Sequence, residues 1–447
     1  MNIYPEGDTI AAAATACAPG AVGVARISGP DAPRIARALA RRAAEFPPRK
    51  AVLCEIADSS GKIDDVLVTS FKSPFSFTGE DVAEISCHGS PYILSRTVEA
   101  AIALGARAAL PGEFTLRAWR NGKMDLAQAE GVCDLVRAET GAAHKAALNM
   151  AGGGLSARFA RLRGALIDSL AGMEARLDDG DAEQEPFSGD AGLGLVAAEL
   201  RAMAGSFASG RMIKQGARVA IAGAPNAGKS SLLNALAGYG RAIVSPLEGT
   251  TRDTVDEAVE ICGRKFILTD TAGIREHALD PAEAEGMARA RGALARCDAV
   301  VFVLDGSRPA DARDHAVWRE ICACGAKAII AANKSDAGGP HPAPFGPAAR
   351  ISCKTGEGLD GLKSLLVQSC GAENPETVIT SARHYGCVRS ALDEVSAALE
   401  ILSRPSPPLE LAAEHVRSAL SALAAVTGGT AADDVLDAVF GKFCVGK

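Results

Sequence analysis

The stretch Gly223-Ala224-Pro225-Asn226-Ala227-Gly228-Lys229-Ser230 constrains this chain more than any other. Its spacing, G-x-x-x-x-G-K-[ST], is that of a loop that cradles phosphates. The apolar run Arg218-Val219-Ala220-Ile221-Ala222 before it predicts a buried strand. Ser231-Leu232-Leu233-Asn234-Ala235-Leu236-Ala237 after it predicts a helix, with Gly238 as its stop. Strand, glycine loop and helix together give a phosphate site its context. Gly223 and Gly228 permit a tight backbone with inward N–H groups, and the helix N-terminus favours an anion. Lys229 then reaches the β- and γ-phosphates, and the Ser230 hydroxyl ligates Mg²⁺.

Four later stretches specify the nucleotide. Gly249-Thr250-Thr251-Arg252-Asp253 supplies a threonine hydroxyl to Mg²⁺ from a loop. Asp270-Thr271-Ala272-Gly273 follows the predicted strand Phe266-Ile267-Leu268-Thr269; its aspartate suits the Mg²⁺ site and its glycine turns an N–H toward a γ-phosphate. Asn333-Lys334-Ser335-Asp336 follows the run Ala328-Ile329-Ile330-Ala331-Ala332, and Asp336 can accept two N–H bonds from guanine. Ser352-Cys353-Lys354 closes the base pocket from another strand end. Five short motifs in this order, each at a strand end, predict a GTP-binding domain of the Ras-like type.

With 447 residues the chain has room for about three domains. Only 4% of it is aromatic, so alanine, leucine and valine must fill the cores. A net charge of −7 argues against gross polycationic binding of nucleic acid and leaves a local basic face open. Arg34, Arg37, Arg41 and Arg42 cluster, with Arg49 and Lys50 nearby, and read as a solvated helix face. The 12 cysteines show no paired framework, and Cys322-Ala323-Cys324 is too close for a zinc knuckle; reduced thiols in a cytoplasmic protein are expected. Neither a basic leader nor a membrane-length apolar run is read in the sequence.

Residues 1–121 predict a mixed α/β domain, with strands at Val22-Gly23-Val24-Ala25-Arg26-Ile27 and Val82-Ala83-Glu84-Ile85-Ser86 and a helix over 31–42. Arg26 and Glu84 read either as a surface ion pair or as ligand contacts, and His88 before Gly89 reads as a turn residue. Helices are predicted over 155–177 and 192–209, then over 382–402, 408–427 and 431–440, with 178–190 a loop. Between them, 254–261 and 264–269 flank Cys262-Gly263 as a hairpin, and strands over 299–304, 328–332 and 350–352 make a mostly parallel sheet with one antiparallel edge. Asp305-Gly306 reads as a turn. Helices on both sides imply that the α/β domain is inserted into a helical one, giving 1–121, 122–215, 216–373 and 374–447 as the segments.

Ras-like enzymes place a glutamine after the glycine of the third motif to orient water. Ile274 stands there and cannot hydrogen-bond; Glu283, Glu285 and Glu276 are the candidate replacements. Negative charge in the transition state can be met by an arginine, with Arg252 and Arg275 conceivable, or by a monovalent cation beside Asn226.

Three further signatures resemble one family: Ser76-Phe77-Thr78-Gly79-Glu80-Asp81 with His88-Gly89; Pro111-Gly112-Glu113-Phe114 with Lys123-Met124-Asp125-Leu126-Ala127-Gln128-Ala129-Glu130; and the tail Phe443-Cys444-Val445-Gly446-Lys447. They are similar to those of the MnmE (TrmE) family of tRNA modification GTPases. The resemblance implies an α+β folate-binding, dimerising N-terminal domain, an all-α helical-bundle domain, and an inserted Ras-like α/β P-loop domain. It implies GTP contacts at Asn226, Ala227, Gly228, Lys229, Ser230 and Ser231; at Ser245, Pro246, Leu247, Glu248, Gly249, Thr250 and Thr251; at Asp270, Thr271, Ala272 and Gly273; and at Asn333, Lys334, Asp336, Ser352, Cys353 and Lys354. Ser230 and Thr251 match Mg²⁺ ligands; Asn226, Ser245, Leu247 and Thr250 match K⁺ ligands; Glu283 matches the water-orienting glutamate. Arg26, Glu84, Lys123 and Lys447 match contacts to 5-formyltetrahydrofolate, and Cys444 is near the one-carbon donor. The implied function is modification of wobble uridine at C5, as a homodimer that forms a heterotetramer with the FAD-containing MnmG (GidA). An Era-like ribosome-assembly switch is the alternative, and it leaves 1–121 and the tail without a purpose.

Overall fold

The computed structural model describes residues 7–178, 190–239, 241–242, 256–270, 297–325, 327–339, 344–370, 378–429, 433–443 and 445–446. The chain divides into two compact units. One comprises Met1–Cys133, Met150–Arg163 and Leu420–Lys447; the other comprises Asp134–Asn149 and Gly164–Ala419.

Period-two alternation builds the sheet of the first unit. Its strands are β1 (Ile10–Ala13), β2 (Gly20–Ser28), β3 (Val52–Asp58), β4 (Gly61–Phe71), β5 (Val82–Gly89) and β6 (Arg107–Ala108). They lie in the order β3-β4-β5-β2-β1-β6, antiparallel except for β1 with β6. Ala25, Ile27, Ala83 and Ile85 face one way and pack with Ile35 and Leu39 of helix Ala32–Leu39 and Leu94 of helix Pro91–Ala103. Arg26 and Glu84 therefore occupy the opposite face. The helix expected over 31–42 stops at Leu39, because Arg41 takes a left-handed backbone with φ 47°. Arg41 and Arg42 thus lie beyond that helix rather than on its face. His88 lies on β5 rather than in a turn, its Nδ1 2.8 Å from Asp64 Oδ1. The C-terminal segment belongs to this unit: Phe440 and Phe443 pack among Leu116, Leu126 and Ala129.

The second unit carries a seven-stranded sheet: β7 (Ala217–Ala222), β8 (Arg241–Ala242), β9 (Asp256–Ile261), β10 (Arg264–Asp270), β11 (Ala299–Asp305), β12 (Lys327–Asn333) and β13 (Ala348–Arg350). The order is β13-β12-β11-β7-β10-β9-β8. The first five strands run parallel, β9 runs against them, and the two-residue β8, antiparallel to β9, runs with the five and adds a strand outside the expected antiparallel one. Helices cover both faces, which explains the uninterrupted apolar runs. Leu232 and Leu236 of helix Lys229–Tyr239 pack with Val219, Ile221 and Val301; Ile321 of helix Ala312–Cys324 packs with Ala220, Val300 and Phe302 on the other side. Cys262 and Gly263 make the hairpin with φ of 50° and 76°, the pair of left-handed residues a two-residue turn needs.

Helices before and after the sheet pack together. Phe207 stacks on Tyr385 at 4.4 Å, and Ile379 N donates to Ser206 Oγ at 3.1 Å. The α/β domain is thus inserted between helices that belong to one another. Ser206 also divides the helix expected over 192–209 into Asp190–Gly205 and Phe207–Gln215 by donating to Met203 O at 2.7 Å. The helix after the phosphate loop starts at Lys229 and runs through Gly238, and the strand expected over 350–352 is Ala348–Arg350. No helix among the described residues is long and apolar enough to cross a membrane.

Candidate functional site

The phosphate loop leaves β7 at Ala222 and enters its helix at Lys229. Two left-handed residues, Asn226 with φ 66° and Gly228 with φ 98°, reverse the backbone between them. A Cβ at Gly228 would lie 2.2 Å from Asn333 Nδ2, so only glycine fits. Lys229 is buried and donates to Ala224 O at 3.0 Å, which folds its ammonium over the loop. Ser230 Oγ donates to Asp270 Oδ2 at 3.1 Å. A hydroxyl from the first turn of the helix and a carboxylate from the end of β10 therefore converge at the helix N-terminus, a donor set of hard oxygens suited to Mg²⁺.

The base-pocket motifs are tied to this loop. Asn333 Nδ2 donates to Ala227 O at 3.1 Å, and its Oδ1 accepts from Cys353 N at 3.1 Å. One buried amide thus joins the loop, the end of β12 and the Ser352-Cys353-Lys354 segment. Asp336 accepts from the buried Ser352 Oγ at 2.6 Å, and this bond holds its carboxyl below the usual range. The ionised carboxylate has a second oxygen that can accept hydrogen bonds.

Sequence reasoning took Asp305 for a turn residue alone. It ends β11 and stands in register with Asn333 across the parallel ladder. Its Oδ2 lies 2.6 Å from Lys334 Nζ, which also donates to Asn226 O at 2.9 Å. Its Oδ1 accepts from Ser307 N and Oγ. Burial pushes the Asp305 carboxyl up, but the Lys334 ammonium and the Ser307 bonds outweigh it and hold it low. More than a turn, Asp305 holds Lys334 against the phosphate loop. The available signal was its place at a strand end beside the Asn333 strand.

A second cluster lies in the first unit, on the sheet face turned away from the core. Arg26 and Glu84 are cross-strand partners, with Arg26 Nε 2.9 Å from Glu84 Oε1. The guanidinium sits 5.6 Å from the ring centres of both Phe77 and Phe114. Phe77 belongs to the segment 73–81, whose Pro74 O accepts from Lys123 Nζ at 2.9 Å. Arg26 and Glu84 are thus brought together, and Lys123 meets the same segment through Pro74. The tail approaches too. Gly446, with φ 96°, passes so close to β1 that a Cβ on it would lie 2.0 Å from Ala13 O. The two phenylalanines were read as signature residues and not as contacts.

Several expected residues lie outside the described residues: Ser245, Pro246, Leu247, Glu248, Gly249, Thr250, Thr251 and Arg252; Thr271, Ala272, Gly273, Ile274, Arg275, Glu276, Glu283 and Glu285; Cys444 and Lys447.

Comparison with known proteins bears on both clusters. A family model described as GTP-binding protein TrmE N-terminus matches residues 9–123, and one described as MnmE helical domain matches residues 126–444. A tRNA modification GTPase MnmE of Thermus thermophilus is 41% identical over 448 residues, covering 98% of this chain and 99% of that one. Its counterpart from Akkermansia muciniphila is 40% identical over 450 residues, with 98% and 99% covered. Among solved structures, the G domain of the T. maritima FeoB iron transporter matches at 26% identity and a TM-score of 0.26, covering 35% of this chain and 99% of that one. With a TrmE-type N-terminal domain, an MnmE helical domain and an inserted P-loop GTPase domain, the chain is a GTP hydrolase belonging to the MnmE family of tRNA modification GTPases.

Proposed function

We propose that the chain is a potassium-dependent GTPase that, with an FAD-containing MnmG/GidA partner, modifies C5 of the wobble uridine in certain tRNAs to aminomethyl or carboxymethylaminomethyl forms. A tetrahydrofolate such as 5-formyltetrahydrofolate supplies the one-carbon unit. The chain works in the cytoplasm as a homodimer and in a heterotetramer with its partner. Its segments are a folate-binding domain over 1–121, helical parts over 122–215 and 374–447, and the GTPase domain over 216–373.

Mg²⁺ is held by Ser230 and Thr251, and when bound it offsets charge on the β- and γ-oxygens. The convergence of Ser230 on Asp270 supports that reading. Asn226, Ser245, Leu247 and Thr250 hold K⁺, and Glu283 orients the attacking water. The exposed, left-handed Asn226 at the loop tip supports the first of these.

The folate reading is carried by one observation, the Arg26–Glu84 pair beneath Phe77 and Phe114 with the chain's tail drawn to β1. A pterin is flat, with donors and acceptors along one edge. The part-exposed Phe77 ring suits one of its faces, and a carboxylate beside a guanidinium suits its edge. Lys123 and Lys447 add cations for the glutamyl carboxylates, and Cys444 stands near the one-carbon unit. An Era-like switch in ribosome assembly would use the nucleotide site and leave this cluster idle. Calorimetric titration with 5-formyltetrahydrofolate tests the reading, using the full chain and a chain lacking residues 444–447. Binding weakened by the truncation is expected; no binding by a folded full-length dimer would sink the folate assignment.

A further inference from the structure

The segment 73–81 is held from several sides. Ser73 N donates to Asp81 Oδ1 at 2.9 Å, and Ser73 Oγ to Gly79 O at 2.8 Å. Asn121 Nδ2 donates to Thr78 O at 2.7 Å, and Lys123 Nζ to Pro74 O at 2.9 Å. A guanidinium nitrogen of Arg49 donates to Phe75 O at 3.0 Å. A side chain on such a segment is presented with little ordering left to do on binding. Yet Phe75 is 68% exposed.

A lone exposed phenylalanine needs no explanation. This one has the Arg49 guanidinium 6.0 Å from its ring centre. Arg49 itself takes φ 57°, a backbone that L-residues rarely adopt, within a stretch 41–51 where all but Phe46 is exposed. Lys50, Lys72 and Lys123 are exposed close by in chain or contact, against the carboxylates of Glu45, 3.4 Å from Lys72, and of Asp81, which accepts from Ser73 N. Positive charge thus collects here in a chain whose net charge is −7. An apolar protein partner would want apolar neighbours around the ring, and Lys72, Ser73 and Arg49 are polar.

We propose that Phe75, backed by Arg49, is a stacking platform for an unpaired nucleobase of the tRNA substrate. The proposal rests on the tRNA reading above and not on the folate one. The base lies on the open face of the ring, and its flanking phosphates meet Arg49, Lys50 and Lys72, the arrangement by which single-stranded nucleic acid is held. Phe77, two residues on, lies against Arg26, so a base at Phe75 sits beside the second cluster.

The test is fluorescence anisotropy with a labelled RNA stem–loop whose loop contains uridine, and with the same stem as a blunt duplex, added to the full-length protein. Phe75→Ala should weaken stem–loop binding by about five- to hundred-fold, as loss of one aromatic–base stack does. It should leave the salt dependence, duplex binding and GTP turnover unchanged. Phe75→Trp should restore stem–loop affinity. Arg49→Gln should weaken binding and lower the salt slope by about one phosphate contact. Equal binding by wild type and Phe75→Ala, or no stem–loop binding by wild type, would overturn the proposal. So would dissociation of a dimer by Phe75→Ala at unchanged RNA affinity, since the ring would then serve a second copy of the chain. Folate calorimetry on the same variants should match wild type. Failure of wild type to bind folate would remove the folate reading alone, and the RNA comparison would still decide the platform.

Discussion

Asp305→Asn isolates the pair that pins Lys334 to the phosphate loop. The substitution keeps size and shape and removes one charge. At the observed 2.6 Å, Coulomb's law gives about 1.6 kcal/mol for two unit charges in water and about 6 kcal/mol at an effective dielectric constant near 20. The Lys334 side chain is 38% exposed and that of Asp305 13%, so screening and the entropy of fixing a lysine remove most of this. A net of about 1 kcal/mol remains. That is about a fivefold loss in affinity for GDP and GTP. Asp305→Ala also takes the acceptor from Ser307 N and Oγ, which should lower the melting temperature beyond the Asn variant.

Stopped-flow binding of a fluorescent GDP analogue measures the affinity directly, and the loss should fall on the dissociation rate. Guanine-over-adenine selection should not change if it rests, as proposed, on Asp336. Turnover at saturating GTP should also hold if Lys334, as proposed, positions the nucleotide and takes no part in bond breaking. Wild-type dissociation from Asp305→Asn would refute the reasoning. So would an unchanged KM with a reduced kcat, which would put Asp305 in the chemical step.

Three other outcomes follow from the same geometry. Burial pushes Asp8 and Glu113 up, but the Arg107 and Arg117 guanidiniums outweigh it and leave both carboxyls below their ordinary values. A depressed folded pKa gives stability that is present above the unfolded pKa and lost as pH falls through the folded one. Thermal melting should therefore fall steeply below about pH 4, and Glu113→Gln should flatten that slope; parallel curves would contradict it. Gly446→Ala forces a Cβ to 2.0 Å from Ala13 O at a left-handed residue, so it should weaken 5-formyltetrahydrofolate as truncation does while sparing GTP hydrolysis, both checked on one preparation. At high protein concentration GTP turnover should be faster in K⁺ than in Na⁺, and Asn226→Ala should erase the difference; equal wild-type rates would count against the potassium reading.

What could be read from the sequence divides by the distance over which a constraint acts. A phosphate imposes its shape on consecutive residues, so the loop from Gly223 to Ser230 has a fixed spacing and was legible. The strand ends at Asp270 and Asn333 were legible because burial on both sides writes an apolar run before each. Helix limits were less so: the left-handed Arg41 and the bond from Ser206 Oγ to Met203 O stop helices that local pattern would continue. The supports of the sites were hardest. Asp305 reaches Lys334 across 29 positions of sequence and Arg26 reaches Glu84 across 58. No periodicity marks such a pair, because register between strands sets it. Arg26 shows the consequence. From the sequence spacing alone it read first as a surface ion pair and only second as a ligand contact, and the structure makes the ion pair real without removing the second reading. The pair is flanked by two aromatic rings and approached by the tail, and an ion pair needs neither for its own stability. Those neighbours, distant in sequence and adjacent in space, are what turn a charge pair into a candidate site.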